Sequence, residues 1–216
     1  MLFNSFEFIR FFPIVLALYF IMPKKVRYIW LLIASYYFYM SWMPQYGLLL
    51  FGATAVTYGA GLLIDKAKKT GFKKLFLALS VVICFSLLFV FKYFMFAFSS
   101  LQMVAKLFGS SLKEPSFSLV LPVGISFFTF QAVGYVIDVY RGDVDAEKNF
   151  FRYALFVAFF PQLVAGPIER SRNLLKQIRG IENLRIWSFR QIQEGAVVML
   201  YGYILKMIIS HVLHVS

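Results

Sequence analysis

Residues 121–141 read LPVGISFFTFQAVGYVIDVYR, an apolar run of membrane length with polar groups where lipid-facing residues would be expected. At helical spacing Gly124, Gln131 and Asp138 recur one heptad apart on a single stripe, with Tyr135 and Arg141 beside it. An unpaired polar group inside a bilayer costs several kcal/mol, so an amide, a phenol and a carboxylate on one face require a protein interior or a water-filled cavity opposite them. The stretch therefore predicts an all-α fold in which the rest of the chain builds that cavity.

Composition agrees. Of the 216 residues 61% are hydrophobic, 20% aromatic and only 15% charged, whereas soluble domains carry about a quarter charged residues. These values predict a polytopic membrane protein and argue against an ordinary soluble domain. The net charge is +12, and the basic residues gather in short loops. Such clusters report positive-inside topology and contact with anionic headgroups; nucleic-acid binding would want a basic face on a soluble surface. Cys84 is the single cysteine, so the chain can build neither an internal disulfide nor a cysteine-based metal site. Glu7 and Arg10 interrupt the start and no small-residue cleavage site follows Met22, so membrane insertion is expected to be signalled by the mature segments.

Charged breaks divide the apolar segments. The first, 2–22, ends at Pro23 and the cluster Lys24, Lys25, Arg27; the second, 28–42, is short and dense in Tyr and Trp. The third, 46–64, carries Gly47, Gly52, Gly59 and Gly61, small residues that let membrane helices approach closely. Five lysines in 65–74 mark a cytoplasmic loop. A fourth segment, 75–91, is broken by Lys92 and followed by an aromatic stretch to Phe108 and a loop at 109–115; the fifth is 117–137, then a charged loop at 138–148. Residues 150–166 are apolar, 167–190 basic and amphipathic, and 195–212 form a last apolar run. Counting every segment as a span would place Arg170, Arg172, Lys176, Arg179, Arg185 and Arg190 outside, against the charge rule. One segment is thus expected not to cross. Pro161, Gly166, Pro167 and Gln162 single out 150–166 as a re-entrant element; the alternative is a span hidden in 93–108.

Within FFPQLVAGPIERSRN (159–173), prolines at 161 and 167 free backbone amides, and Glu169, Arg170 and Arg172 follow at once. Free amides and an arginine pair suit an anionic group such as a phosphate or a thioester donor's pyrophosphate. The plainer reading is a kinked interfacial helix whose arginines snorkel to headgroups. Asp138 and Arg141, three apart, can pair with each other or line the mouth of a channel. Gln131 suits an interhelical tie or a functional hydrogen bond. His211 and His214 share a helical face with no accompanying carboxylate or cysteine, which does not make a metal site. No nucleophile elbow, Walker loop or dinucleotide fingerprint occurs.

LPVGISFFTFQAVGYVIDVYRG (121–142) followed by FFPQLVAGPIERSRNLLKQI (159–178), with MLFNSFEFIRFFPIVLALYF at the start and SYYFYMSW at 35–42, resembles the membrane-bound O-acyltransferase family, in its bacterial alginate O-acetylase branch. The resemblance covers nearly the whole chain. It implies a multi-pass protein of the bacterial inner membrane whose helices surround a central cavity and pass an acyl group, usually acetyl, toward an extracellular polysaccharide such as alginate. It implies acetyl-CoA as donor with no bound cofactor and no metal. The implied partners are the lipid bilayer, the acyl donor, and a polysaccharide or a periplasmic acetyltransferase, with no nucleic acid. The family's catalytic histidine, in a Trp-His-Gly-like setting, lies later in the family's sequences and has no counterpart here, so the resemblance implies an amino-terminal portion that is inactive alone. The expected cavity-lining residues are Gln131, Tyr135, Asp138, Arg141, Gln162, Glu169 and Arg170, with no catalytic residue assigned. The competing readings are a non-catalytic membrane scaffold or truncated paralogue and a small transporter; the latter would show an inverted repeat, and none is visible.

Overall fold

Proline and charge punctuate the chain into nine α-helices among the described residues, with no strand among them. A computed structural model describes residues 3, 5–107, 122, 124–163, 169–183 and 189–215. The helices are α1 (Phe6–Ile21), α2 (Arg27–Met40), α3 (Tyr46–Lys66), α4 (Thr70–Leu107), α5 (Ile125–Arg141), α6 (Phe150–Ala158), α7 (Phe160–Leu163), α8 (Ser171–Gly180) and α9 (Phe189–Val215). Two stretches, Tyr46–Lys66 and Thr70–Phe94, are long and apolar enough to cross a membrane. The expected break at Lys92 is absent: α4 runs on for 38 residues. Lys92 does not interrupt it, since a lysine removes no backbone hydrogen bond and its long side chain can carry the charge away from the apolar run; its ammonium lies 5.5 Å from the centre of the Tyr93 ring.

The chain forms two compact units, one of Met1–Pro23 with Asn183–Ser216 and one of Lys24–Glu182. In the first, Ser5 caps α1 by accepting the Phe8 N–H at 3.2 Å, and Glu7 occupies the first turn, where the helix dipole favours a carboxylate. Phe8 and Val15 are buried, and the Tyr203 hydroxyl of α9 donates to the Phe3 carbonyl. Phe12 and Leu16 of α1 face Ala196 and Met199 of α9 across an apolar groove.

In the second unit α3 packs along α5, α4 lies against both, and α6 is covered by α2 and α8. Its core joins Phe38, Leu50, Ile64, Tyr135, Val136, Tyr153, Phe156, Leu163 and Leu175. Gly61 sets the α3–α5 approach, since a β-carbon there would sit 2.8 Å from the Tyr135 ring.

Pro161 decides the geometry between α6 and α7. It has no N–H, and its ring would meet the carbonyl one turn back, so α6 ends at Ala158 and α7 restarts at Phe160. The break separates two groups that an unbroken helix would join. The Phe160 N–H donates to Ser35 Oγ at 3.3 Å, and the Phe156 carbonyl accepts from Gln131 Nε2 at 2.7 Å. Gly124 completes the arrangement at the start of α5. Its φ is +79°, and a β-carbon there would lie 2.3 Å from the Leu163 carbonyl oxygen, so only glycine lets α5 begin against the end of α7. Gly166 and Pro167, also expected to break this region, lie outside the described residues, as do the 109–115 loop, Arg185 and the side chains of His211 and His214.

Candidate functional site

Six of the seven residues expected to line a cavity do converge: Gln131, Tyr135, Asp138, Arg141, Glu169 and Arg170 border one pocket of about 290 Å³ in the second unit. Phe130, Gly134, Asp143 and Ser171 complete its wall. The seventh, Gln162, stands behind it and accepts from Gln131 Nε2 at 3.1 Å. Gln131 is therefore a buried tie between α5, α6 and α7, satisfying the Phe156 carbonyl left open when the Phe160 N–H turns to Ser35.

Tyr135 is fully buried, and its hydroxyl is turned from the pocket to accept the Glu147 N–H at 2.9 Å. Its ring packs 4.5 Å from that of Tyr153. Glu147 in turn is held from three sides. Its carboxylate accepts from Arg179 Nε at 2.5 Å and from the Asn149 N–H at 3.0 Å, while its own amide engages Tyr135. Asn149 then caps α6 through the Phe151 and Arg152 amides. The loop after α5 is thus fastened to both neighbouring helices and to α8.

The expected pairing of Asp138 with Arg141 does not form. Asp138 accepts instead from the Ser171 hydroxyl at the first position of α8. Helix α5 extends through Asp138 to Arg141 and closes at Gly142, whose φ is +78°, with the Asp143 N–H bonded to the Asp138 carbonyl and the Gly142 N–H to that of Val139. That ending leaves Arg141 exposed. Nor does α8 lie at a membrane interface through its apolar side. Leu174, Leu175 and Ile178 are buried within the protein, and the exposed face carries Arg172 and Lys176.

The charges of the pocket are unevenly matched. Glu169 meets Asn173 Nδ2 at 3.4 Å and Asp143 meets Arg172 at 3.5 Å, both exposed contacts of small worth. Neither Arg141 nor Arg170 forms an ion pair among the described residues. Two exposed guanidinium groups beside a buried amide can receive an anion with planar oxygens. No group of three or more His, Cys, Asp or Glu able to hold a metal ion occurs among the described residues.

Sequence reasoning missed Ser171, Glu147 and Gly134. Ser171 stood in plain view as a serine opening an amphipathic helix, but its partner lies 33 residues earlier. Glu147 resembled any other acid of a charged loop. Gly134 has room beyond it, since a β-carbon there meets nothing within 4 Å.

No family model and no solved structure matches the chain. Among curated proteins it is 38% identical over 211 residues to a probable alginate O-acetylase of Pseudomonas aeruginosa, covering 97% of this chain and 39% of that one. It is 38% identical over 210 residues to the corresponding protein of Azotobacter vinelandii, 40% of which is covered. A peptidoglycan O-acetyltransferase of Helicobacter pylori is 30% identical over 240 residues, with 97% of this chain and 44% of that protein aligned. The chain thus spans well under half the length of these relatives. Over nearly its whole length, then, the chain is similar to about two-fifths of probable alginate O-acetylases and of a peptidoglycan O-acetyltransferase.

Proposed function

We propose that this chain is part of a membrane-bound O-acyltransferase that moves an acetyl group from a cytoplasmic donor, acetyl-CoA, toward a polysaccharide outside the inner membrane. The acceptor is alginate or a similar polymer, reached directly or through a periplasmic acetyltransferase. The observation that carries the reading is that 97% of this chain aligns with a probable alginate O-acetylase and with a peptidoglycan O-acetyltransferase. The two apolar helices, with the short α2 and the interrupted α6–α7 beside them, support a multi-pass bundle with a re-entrant element around a cavity.

The polar pocket is the place where the donor's charged end would meet the chain. Arg141 and Arg170 hold the anionic oxygens, in a pocket whose wall Glu169 and Asp138 share. Gln131, Tyr135 and Gln162 keep the wall rigid rather than touching the donor. Chemistry at the acyl carbon needs a base or nucleophile, and none is assigned here.

Gly134→Leu tests the pocket. A β-carbon at this position meets nothing within 4 Å, and Gly134 and Arg141 line the same pocket, so the new side chain takes up pocket space. Membranes containing the protein expressed from its native gene should transfer label from radioactive acetyl-CoA to polysaccharide or carrier. Gly134→Leu should raise KM for acetyl-CoA at least tenfold at an unchanged protein level. Transfer by the unaltered protein with an unmoved KM in the variant would remove the pocket from the reading. No transfer at all, with the protein inserted and stable, would favour the scaffold reading instead.

A further inference from the structure

Helix α8 borders the pocket with its first residue and carries a second set of cations outside it. Its sequence, SRNLLKQIRG, holds Arg172, Lys176 and Arg179 and no acid. The helix is fastened along its inner side: Leu174, Leu175 and Ile178 are buried, Ser171 donates to Asp138 near one end, and Arg179 meets Glu147 near the other. Arg172 and Lys176 are left exposed on the outer side. They stand four apart, neighbours on one helical face with β-carbons about 5–6 Å from each other.

Neither cation is well matched. Arg172 reaches Asp143 at 3.5 Å, an exposed contact of small worth, and Lys176 forms no ion pair among the described residues. The place of this pair is fixed by the pocket itself. Asp143 lines the pocket, as do Arg170 and Ser171, which directly precede Arg172. The two cations therefore begin at the pocket rim and lead outward along α8. Beside the Arg141 and Arg170 seat there is thus a second one, where a guanidinium and an ammonium can close on a single tetrahedral oxyanion. A ligand that fills both seats carries two phosphate groups a short spacer apart. Acetyl-CoA has that form, with a ribose between its pyrophosphate and its 3′-phosphate.

We propose that Arg172 and Lys176 form a second phosphate subsite, which takes the 3′-phosphate of the donor while Arg141 and Arg170 take its pyrophosphate. The assignment rests on the donor reading given above and adds a specificity to it. Arg172 gives up little in leaving Asp143, and α8 is already held in place, so binding orders two side chains and no backbone.

The test compares acetyl-CoA with 3′-dephospho-acetyl-CoA as donors, in membranes containing the protein expressed from its native gene. The unaltered protein should show a KM about tenfold higher for the dephospho donor, the loss expected for removing a charge-assisted contact. Lys176→Gln and Arg172→Gln should each shrink that preference to about threefold or less by raising KM for acetyl-CoA, at an unchanged protein level. Equal KM values for the two donors in the unaltered protein overturn the subsite and leave the donor reading standing. Variants that shift both donors alike also overturn it, and would give this face to another anion such as a headgroup phosphate. No transfer from either donor, with the protein inserted and stable, overturns the donor reading and the subsite with it. Should either variant fail to fold, the two donors compared on the unaltered protein decide alone.

Discussion

Helices α4 and α5 belong to the same unit and pack on each other, yet they handle burial in opposite ways. α4 is long and leaves Leu75, Leu79, Val82, Phe89 and Phe96 exposed along its length. α5 is less than half as long and buries Thr129, Gln131 and Tyr135. An apolar helix needs only an apolar surrounding, which lipid supplies. A helix with an amide, a phenol and a carboxylate needs named partners, and α5 obtains them from a carbonyl left open at the α6–α7 break, a loop amide and a serine on three other segments. Tolerance to change should therefore differ sharply between the two.

The contrast breaks first where α5 begins. Gly124→Ala forces a left-handed backbone on an L-residue and drives its β-carbon into the Leu163 carbonyl. It should cost about 3 kcal/mol, with amide exchange in α7 accelerated by the same factor that denaturant unfolding reports. A loss below about 1 kcal/mol would show that the α5–α7 junction is loose. Next comes Gln131→Leu, which strands the Phe156 carbonyl and the Gln162 side chain. Guanidinium unfolding in mixed micelles should give a loss of about 2 kcal/mol, and a neutral result would mean that water replaces the amide. The same substitution placed on both helices sharpens the comparison most finely. Val136→Leu, at a fully buried site of α5, should cost about 1–2 kcal/mol, while Val82→Leu, on the exposed face of α4, should stay within about 0.5 kcal/mol. Thermal midpoints that fall equally for the two would sink the distinction.

What could be read from the sequence followed the same division. The polar stripe Gln131–Tyr135–Asp138 announced a protein-facing side because its cost in lipid is fixed by chemistry alone. Pro161 announced an interrupted helix for an equally local reason. The partners could not be read. Asp138 has Arg141 one turn away, and local spacing favours that pair, but Ser171 from a distant helix takes the carboxylate. In the same way the arginines of α8 suggested headgroup contact, whereas Arg179 goes to the buried Glu147 and the apolar face goes to the core. Lys92 misled for the opposite reason: one charge in an apolar run looks like a stop, but a long flexible side chain can leave the helix intact.

The length of α4 carries a geometric consequence. Its 38 residues make a rod of about 57 Å, against a hydrocarbon layer of about 30 Å. Confining the whole rod to that layer would need a tilt of about 60°, beyond the roughly 40° limit seen for membrane helices. Were the Thr70–Phe94 portion to cross a bilayer, the turns after Phe94 would extend past the hydrocarbon as a mast. Thinning or thickening the membrane would then change how far the mast protrudes and leave its length untouched.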